Sequence, residues 1–134
     1  MKIEGKCHCG AIAYEAEVDP GTALICHCSD CQALSGAPFR ASVPAKAENF
    51  RFVKGVPKLY VKTADNGNKR AQAFCEVCGT NIYSSAPENA PVYMLRLGAV
   101  KQRAEIPAQR QIWCDSALEW AQDISDLPGV GKQN

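Results

Sequence analysis

Seven of the eight cysteines fall into three short motifs, Cys7-x-Cys9, Cys26-x-Cys28-x-x-Cys31 and Cys75-x-x-Cys78. Thiolates at such spacings converge on metal, because one or two intervening residues let the backbone curl round an ion. The pairs Cys7/Cys9 and Cys75/Cys78 together make one closed four-sulfur site. The triplet Cys26, Cys28 and Cys31 leaves a tetrahedral ion with one open corner, and open corners are where zinc does chemistry. The expectation is two zinc ions per chain, one structural and one catalytic. Iron–sulfur ligation is the rival use of clustered cysteines, and paired hooks of this kind favour zinc. A disulfide framework also fits an even cysteine count. Residues 1–10 contain no apolar run of signal-peptide length, and no later stretch approaches the length needed to span a bilayer. A cytoplasmic protein with reduced thiols is therefore expected.

Three thiolates on a divalent ion leave one net negative charge. That charge blunts the acidification of a bound water and makes a soft fourth ligand more natural, such as a substrate thiol held deprotonated and oriented as a nucleophile. Cys114 is the serious competitor for the fourth corner, since it would complete a second four-cysteine site and make the protein wholly structural. The other reading of Cys114 is a small buried hydrophobe on a core strand, Gln111-Ile112-Trp113-Cys114. His8 and His27 each sit inside a Cys-x-Cys, where the intervening side chain points away from the metal. They are read as rim or hydrogen-bonding residues, with His27 a local proton carrier near neutral pH.

The elements that must position these residues read as mostly β. Period-two alternation dominates: residues 11–18 place Ile12, Tyr14, Ala16 and Val18 on one face and stop at Asp19-Pro20-Gly21. Further strands are expected over 39–43, 49–53, 58–62, 70–74, 81–84, 92–97 and 110–113, joined as meandering antiparallel sheets. One short helix is expected over 29–34, with Ser29 as N-cap and Gly36 as stop. Asp65-Asn66-Gly67-Asn68 is a turn or a flap between strands. At 134 residues the chain fits one domain, read as residues 1–122, followed by a C-terminal tail over 123–134. Fifteen Lys and Arg against fourteen Asp and Glu give no field to attract nucleic acid or an anionic membrane.

Three longer motifs, Gly5-Lys6-Cys7-His8-Cys9-Gly10, Cys26-His27-Cys28-Ser29-Asp30-Cys31-Gln32 and Phe74-Cys75-Glu76-Val77-Cys78-Gly79-Thr80, resemble the glutathione-dependent formaldehyde-activating enzyme family, whose wider group includes centromere protein V. Ser35 to Phe39, Phe50 to Gly55 and Ile112-Trp113 followed by Trp120 agree with it. The resemblance implies a β-tent fold, with the outer motifs holding a structural zinc and the middle motif a catalytic one. It also implies carbon–sulfur lyase or synthase chemistry, the reversible addition of glutathione to formaldehyde giving S-hydroxymethylglutathione. Cys114 stands where the family more often carries an aliphatic residue.

Glutathione carries two carboxylates, so cationic side chains should line its groove. Arg40, Lys69, Arg70 and Arg96 are the candidates, against the commoner reading of solvated surface charge. His27 or Ser29 is the candidate proton donor. Two readings from other classes stand beside the enzyme: a non-enzymatic zinc module that binds a protein, and a redox sensor whose thiols release zinc on oxidation.

Overall fold

The computed structural model describes residues 1–133 and contains two sheets and one α-helix. The small sheet has the order β1-β2-β5, from β1 (Lys2–Lys6), β2 (Ala13–Glu17) and β5 (Phe50–Lys54). The large sheet runs β10-β3-β4-β9-β8-β7-β6. Its strands are β3 (Leu24–Cys26), β4 (Arg40–Lys46), β6 (Lys58–Thr63), β7 (Lys69–Phe74), β8 (Asn81–Ser85), β9 (Val92–Arg96) and β10 (Arg110–Ile112). All pairings are antiparallel except β10 on β3. The mostly β, mostly antiparallel expectation is met, and β10 is the departure.

The core lies between the sheets. Partners in an antiparallel ladder share a face, so the register puts Val43, Ala45, Ala73, Tyr83, Tyr93 and Leu95 on one side of the large sheet. They meet Ile3, Tyr14, Ala16, Phe50 and Phe52 of the small sheet. Five rings form the contact: Phe50 lies 5.2 Å from Tyr14 and 4.9 Å from Tyr93, and Tyr83 meets Tyr93 edge-on at 4.8 Å. Offset and edge geometries suit the ring quadrupoles and add about 0.5–1.5 kcal/mol per pair beyond burial.

Gly5 makes room for one of these rings. It faces Tyr14 across the β1/β2 ladder, and a Cβ at position 5 would overlap the Tyr14 ring. Gly5→Ala is expected to cost about 1–3 kcal/mol through overpacking, read as a lower urea midpoint at unchanged m-value.

The helix α1 spans Ser29–Ser35, one residue longer than expected, and ends at Gly36 as expected. Its N-cap is Cys28 instead of Ser29: the Cys28 sulfur accepts the Cys31 N–H at 3.2 Å. Residues 123–133 are exposed, and Asn134 of the expected tail lies outside the described residues. No described helix is long and apolar enough to cross a membrane.

Candidate metal centres

The outer cysteine motifs form a matched pair of turns. In one, the Gly10 N–H donates to the Cys7 carbonyl and the Cys7 N–H to the Ile12 carbonyl, both at 3.1 Å. In the other, the Gly79 N–H donates to Cys75 at 2.8 Å and the Cys75 N–H to Thr80 at 2.9 Å. Gly10 and Gly79 have φ of 82° and 77°, a left-handed conformation that glycine adopts without steric cost and that turns the chain back past the sulfurs. A hydrogen bond from the His8 N–H to the Thr80 hydroxyl at 3.0 Å ties the two turns together.

All four sulfurs lie within 4.8 Å of one another, with Cys7 to Cys9 at 3.6 Å and Cys9 to Cys75 at 3.8 Å. A tetrahedral ion with zinc–sulfur bonds of about 2.3 Å needs sulfur–sulfur edges of about 3.8 Å, so the donor set fits. The charges agree. The Thr80 hydroxyl, 3.2 Å from the Cys78 sulfur, and nearby backbone N–H groups hold Cys78 down to about 5. Burial pushes Cys7 up, but the Ile12 N–H at 3.2 Å and the sulfurs of Cys9 and Cys75 outweigh it and hold it below the usual thiol range. Cys9, despite an N–H from Ala11, is pushed up to about 11 by desolvation and its sulfur neighbours. Four close sulfurs cannot all ionise unaided, and a divalent cation removes that conflict.

The second cluster is assembled at one edge of the large sheet. Cys26 ends β3, between Arg40 of β4 and Ile112 of β10; Cys28 caps α1, and Cys31 lies in its first turn. Their sulfurs also lie within 4.8 Å of one another, and among the described residues no fourth His, Cys, Asp or Glu donor joins them. Burial raises Cys26, and it pushes Cys31 up to about 12, aided by the neighbouring sulfurs. Burial opposes the same ionisation at Cys28, where the Cys31 N–H, the two other sulfurs and the charge of Lys62 prevail and lower it. Three convergent soft donors with one favoured thiolate suit a thiophilic divalent ion.

Cys114 does not join the cluster. It is exposed, because the strand stops at Ile112 and Trp113 turns left-handed at φ 57°. The core-strand reading of residues 111–114 therefore fails: Gln111, Trp113 and Cys114 are exposed and Ile112 is only half-buried, so Cys114 is no buried hydrophobe. The segment still holds the cluster in place. The His27 N–H donates to the Ile112 carbonyl at 3.1 Å, His27 Nε2 meets Gln111 Oε1 at 2.7 Å, and Gln32 Nε2 donates to the carbonyls of His27 and Ser116 at 2.8 and 3.0 Å. His27 is buried, with its ring edge-on to Phe39 at 5.7 Å, whereas His8 and Ser29 are exposed. Nothing in the sequence marked Gln32 and Gln111 as the groups that fix this loop.

The four basic candidates separate. Lys69 is exposed and Arg70 half-buried, but Arg40 and Arg96 are only 4% and 8% exposed. Both lie on the polar side of the large sheet, the side that carries Cys26, Ser42, Gln72 and Ser84. Gln72 Oε1 accepts from Arg40 Nη1 at 3.1 Å and from Arg96 Nη2 at 2.9 Å, Arg96 Nη1 donates to the Ser42 hydroxyl at 2.9 Å, and Arg40 Nη2 reaches Asn81 Oδ1 at 3.5 Å. Burial, and then the charge of Arg40, pull Arg96 down to about 9, and the sulfurs of Cys31 and Cys26 counter them. Their burial was not legible in the sequence, which offered only charged residues near motifs. The expected Asp65–Asn68 turn is present, with the Gly67 N–H donating to Ala64 at 2.9 Å. Two clefts of about 620 and 700 Å³ lie along the small sheet, and the second is lined by Cys7, His8 and Tyr14. Neither includes the second cluster, so volume and donor chemistry point to different places, and the chemistry is the better guide to function.

The family model described as glutathione-dependent formaldehyde-activating enzyme matches residues 2–116. A Schizosaccharomyces pombe protein named as an uncharacterized lyase is 25% identical over 118 residues, covering 85% of this chain and 80% of its own. A crystal structure of a Rhodobacter sphaeroides protein is similar with a TM-score of 0.61 at 22% identity, over 81% of this chain and 98% of that one. At that identity the likeness speaks for the fold alone.

Proposed function

Because the chain belongs to the glutathione-dependent formaldehyde-activating enzyme family, we propose that it is a zinc-dependent carbon–sulfur lyase that reversibly adds glutathione, or a similar thiol, to formaldehyde or a similar small aldehyde. The observation that carries this reading is the unequal donor count, four convergent sulfurs in one cluster and three in the other. Cys7, Cys9, Cys75 and Cys78 would hold a structural zinc, and Cys26, Cys28 and Cys31 a catalytic one. Zinc at the second cluster would supply a thiophilic Lewis acid that keeps an added thiol deprotonated at neutral pH.

The chain's own groups do the rest. The Cys31 N–H fixes the Cys28 sulfur at the head of α1, and Gln32 and Gln111 fix the loop through His27. In the synthetic direction the thiol gives up its proton and its sulfur attacks the aldehyde carbon. A C–S bond forms as the C=O π bond opens, and the oxygen takes a proton. His27 and Ser29 flank the cysteines and are the candidate donors to the oxygen that develops negative charge. With His27 Nε2 engaged by Gln111, Nδ1 is its remaining proton site.

The test is the exchange rate of isotope-labelled formaldehyde with glutathione, followed by NMR with and without the zinc-loaded chain. Acceleration well above the spontaneous rate is expected. No acceleration by a chain carrying two zinc ions would overturn the lyase reading and leave the protein-binding module in its place.

A further inference from the structure

Arg40 and Arg96 form a buried cationic pair with no acidic partner among the described residues. The ion pairs among the described residues are Arg51–Glu15, Lys62–Asp30 and Lys101–Glu4; none includes Arg40 or Arg96, and the Lys62–Asp30 pair beside the second cluster is neutral in itself. The two guanidiniums share one neutral acceptor, Gln72 Oε1, and the Nε of each is buried without a hydrogen-bond partner. Two buried like charges on one amide oxygen are costly unless an anion lies nearby. The ladder supplies the direction: Arg40 sits directly opposite Cys26, and Arg96 opposite Ser42, two residues further along β4 on the same face.

We propose that the Arg40–Gln72–Arg96 cluster is the counter-charge of the second metal centre, set for the state in which an external thiolate has joined the three cysteines. This rests on the metal and thiol reading given above and deepens it. A divalent ion with three thiolates carries one net negative charge, and a fourth thiolate makes two. Arg40 and Arg96 together supply two positive charges, so the count closes when the fourth ligand is an anion, and the soft sulfur-rich set makes a thiolate the anion it prefers. With water in that place one positive charge is left over. The cluster thus selects an anionic soft ligand over a neutral one, and Arg40 and Arg96 are positioning residues that need not touch it.

Gln72→Glu tests this without removing a side chain. The new carboxylate keeps the shape of Gln72, pairs with both guanidiniums and cancels one positive charge. The fold should be as stable as wild type or more so, because a buried cation pair gains its anion. Glutathione titrated into the zinc-loaded full chain, followed by calorimetry, should bind about tenfold more weakly, with the zinc count unchanged at two. Arg96→Met should weaken binding similarly, and Arg96→Lys should restore it to within about threefold. Wild-type affinity in a folded, zinc-replete Gln72→Glu protein would overturn the proposal and leave the lyase reading intact. Failure of the wild-type zinc protein to bind any thiol would overturn both.

Discussion

Cys78→Ser is expected to leave a chain that does not fold at room temperature. A structural zinc site contributes about 10–16 kcal/mol of folding free energy in small zinc domains, whereas a whole domain is stable by only about 5–15 kcal/mol. The Cys7–Cys9 turn and the Cys75–Cys78 turn lie at opposite ends of a long loop, and ordering that loop carries a closure cost that the metal offsets. Beyond their sulfurs, the link shown between the turns is one hydrogen bond, from His8 to Thr80. Far-ultraviolet circular dichroism on heating should show no cooperative transition in the variant, and elemental analysis should show less than one zinc per chain. A wild-type midpoint in a protein that had lost a metal would show that the aromatic contact between the sheets suffices by itself.

Cys28→Ser should give the opposite pattern, a folded protein that has lost its chemistry. The sulfur of Cys28 does two jobs, as a donor in the three-sulfur cluster and as the acceptor that caps α1. Serine takes over the second job well, since its hydroxyl is among the best helix caps, but is a poor substitute for a thiolate on a soft ion. Stability should fall by no more than about 1–2 kcal/mol, while thiol-dependent turnover should fall by about a thousandfold, the several kcal/mol a Lewis-acid site contributes. One zinc should remain. Turnover within tenfold of wild type would mean that the second cluster is not where the reaction takes place.

The two predictions differ because the sequence separates the clusters so plainly. Cysteine spacing is local information, and both convergent sulfur sets were legible from it. The strands with a clean apolar face, such as β2 with Tyr14 and Ala16 flanked by Ile12 and Val18, were legible too. The edges of the architecture were not. β1 has only Ile3 on its buried face, because the next inward position is Gly5, whose missing side chain is replaced by Tyr14 from the neighbouring strand. Its alternation is therefore invisible in the sequence. β3 has three residues, too few for a period to show. Its parallel partner β10 is equally short, and alternation says nothing about direction.

Part of the site was hidden for a related reason. A charged residue on a strand normally marks the solvent face, and Arg40 and Arg96 obey that alternation. What buries them is the cover placed over that face by distant parts of the chain, including α1, tied down through Asn81 Nδ2 to the Leu34 carbonyl and Lys62 to Asp30. Cys114 failed in the other direction. A single left-handed residue, Trp113, ends the strand and turns the thiol outward, and tryptophan carries no hint of such a backbone state.

The pairing of β10 with β3 sets an order of events during synthesis. Until residues 110–112 leave the ribosome, the strand that ends at Cys26 has one open side, a row of unpaired amides and carbonyls beside three uncapped thiols. The nascent chain is thus most vulnerable to wrong pairing and to oxidation at the place where its chemistry is proposed. The emergence of residues 110–112 closes that edge and fastens the cysteine loop in the same movement.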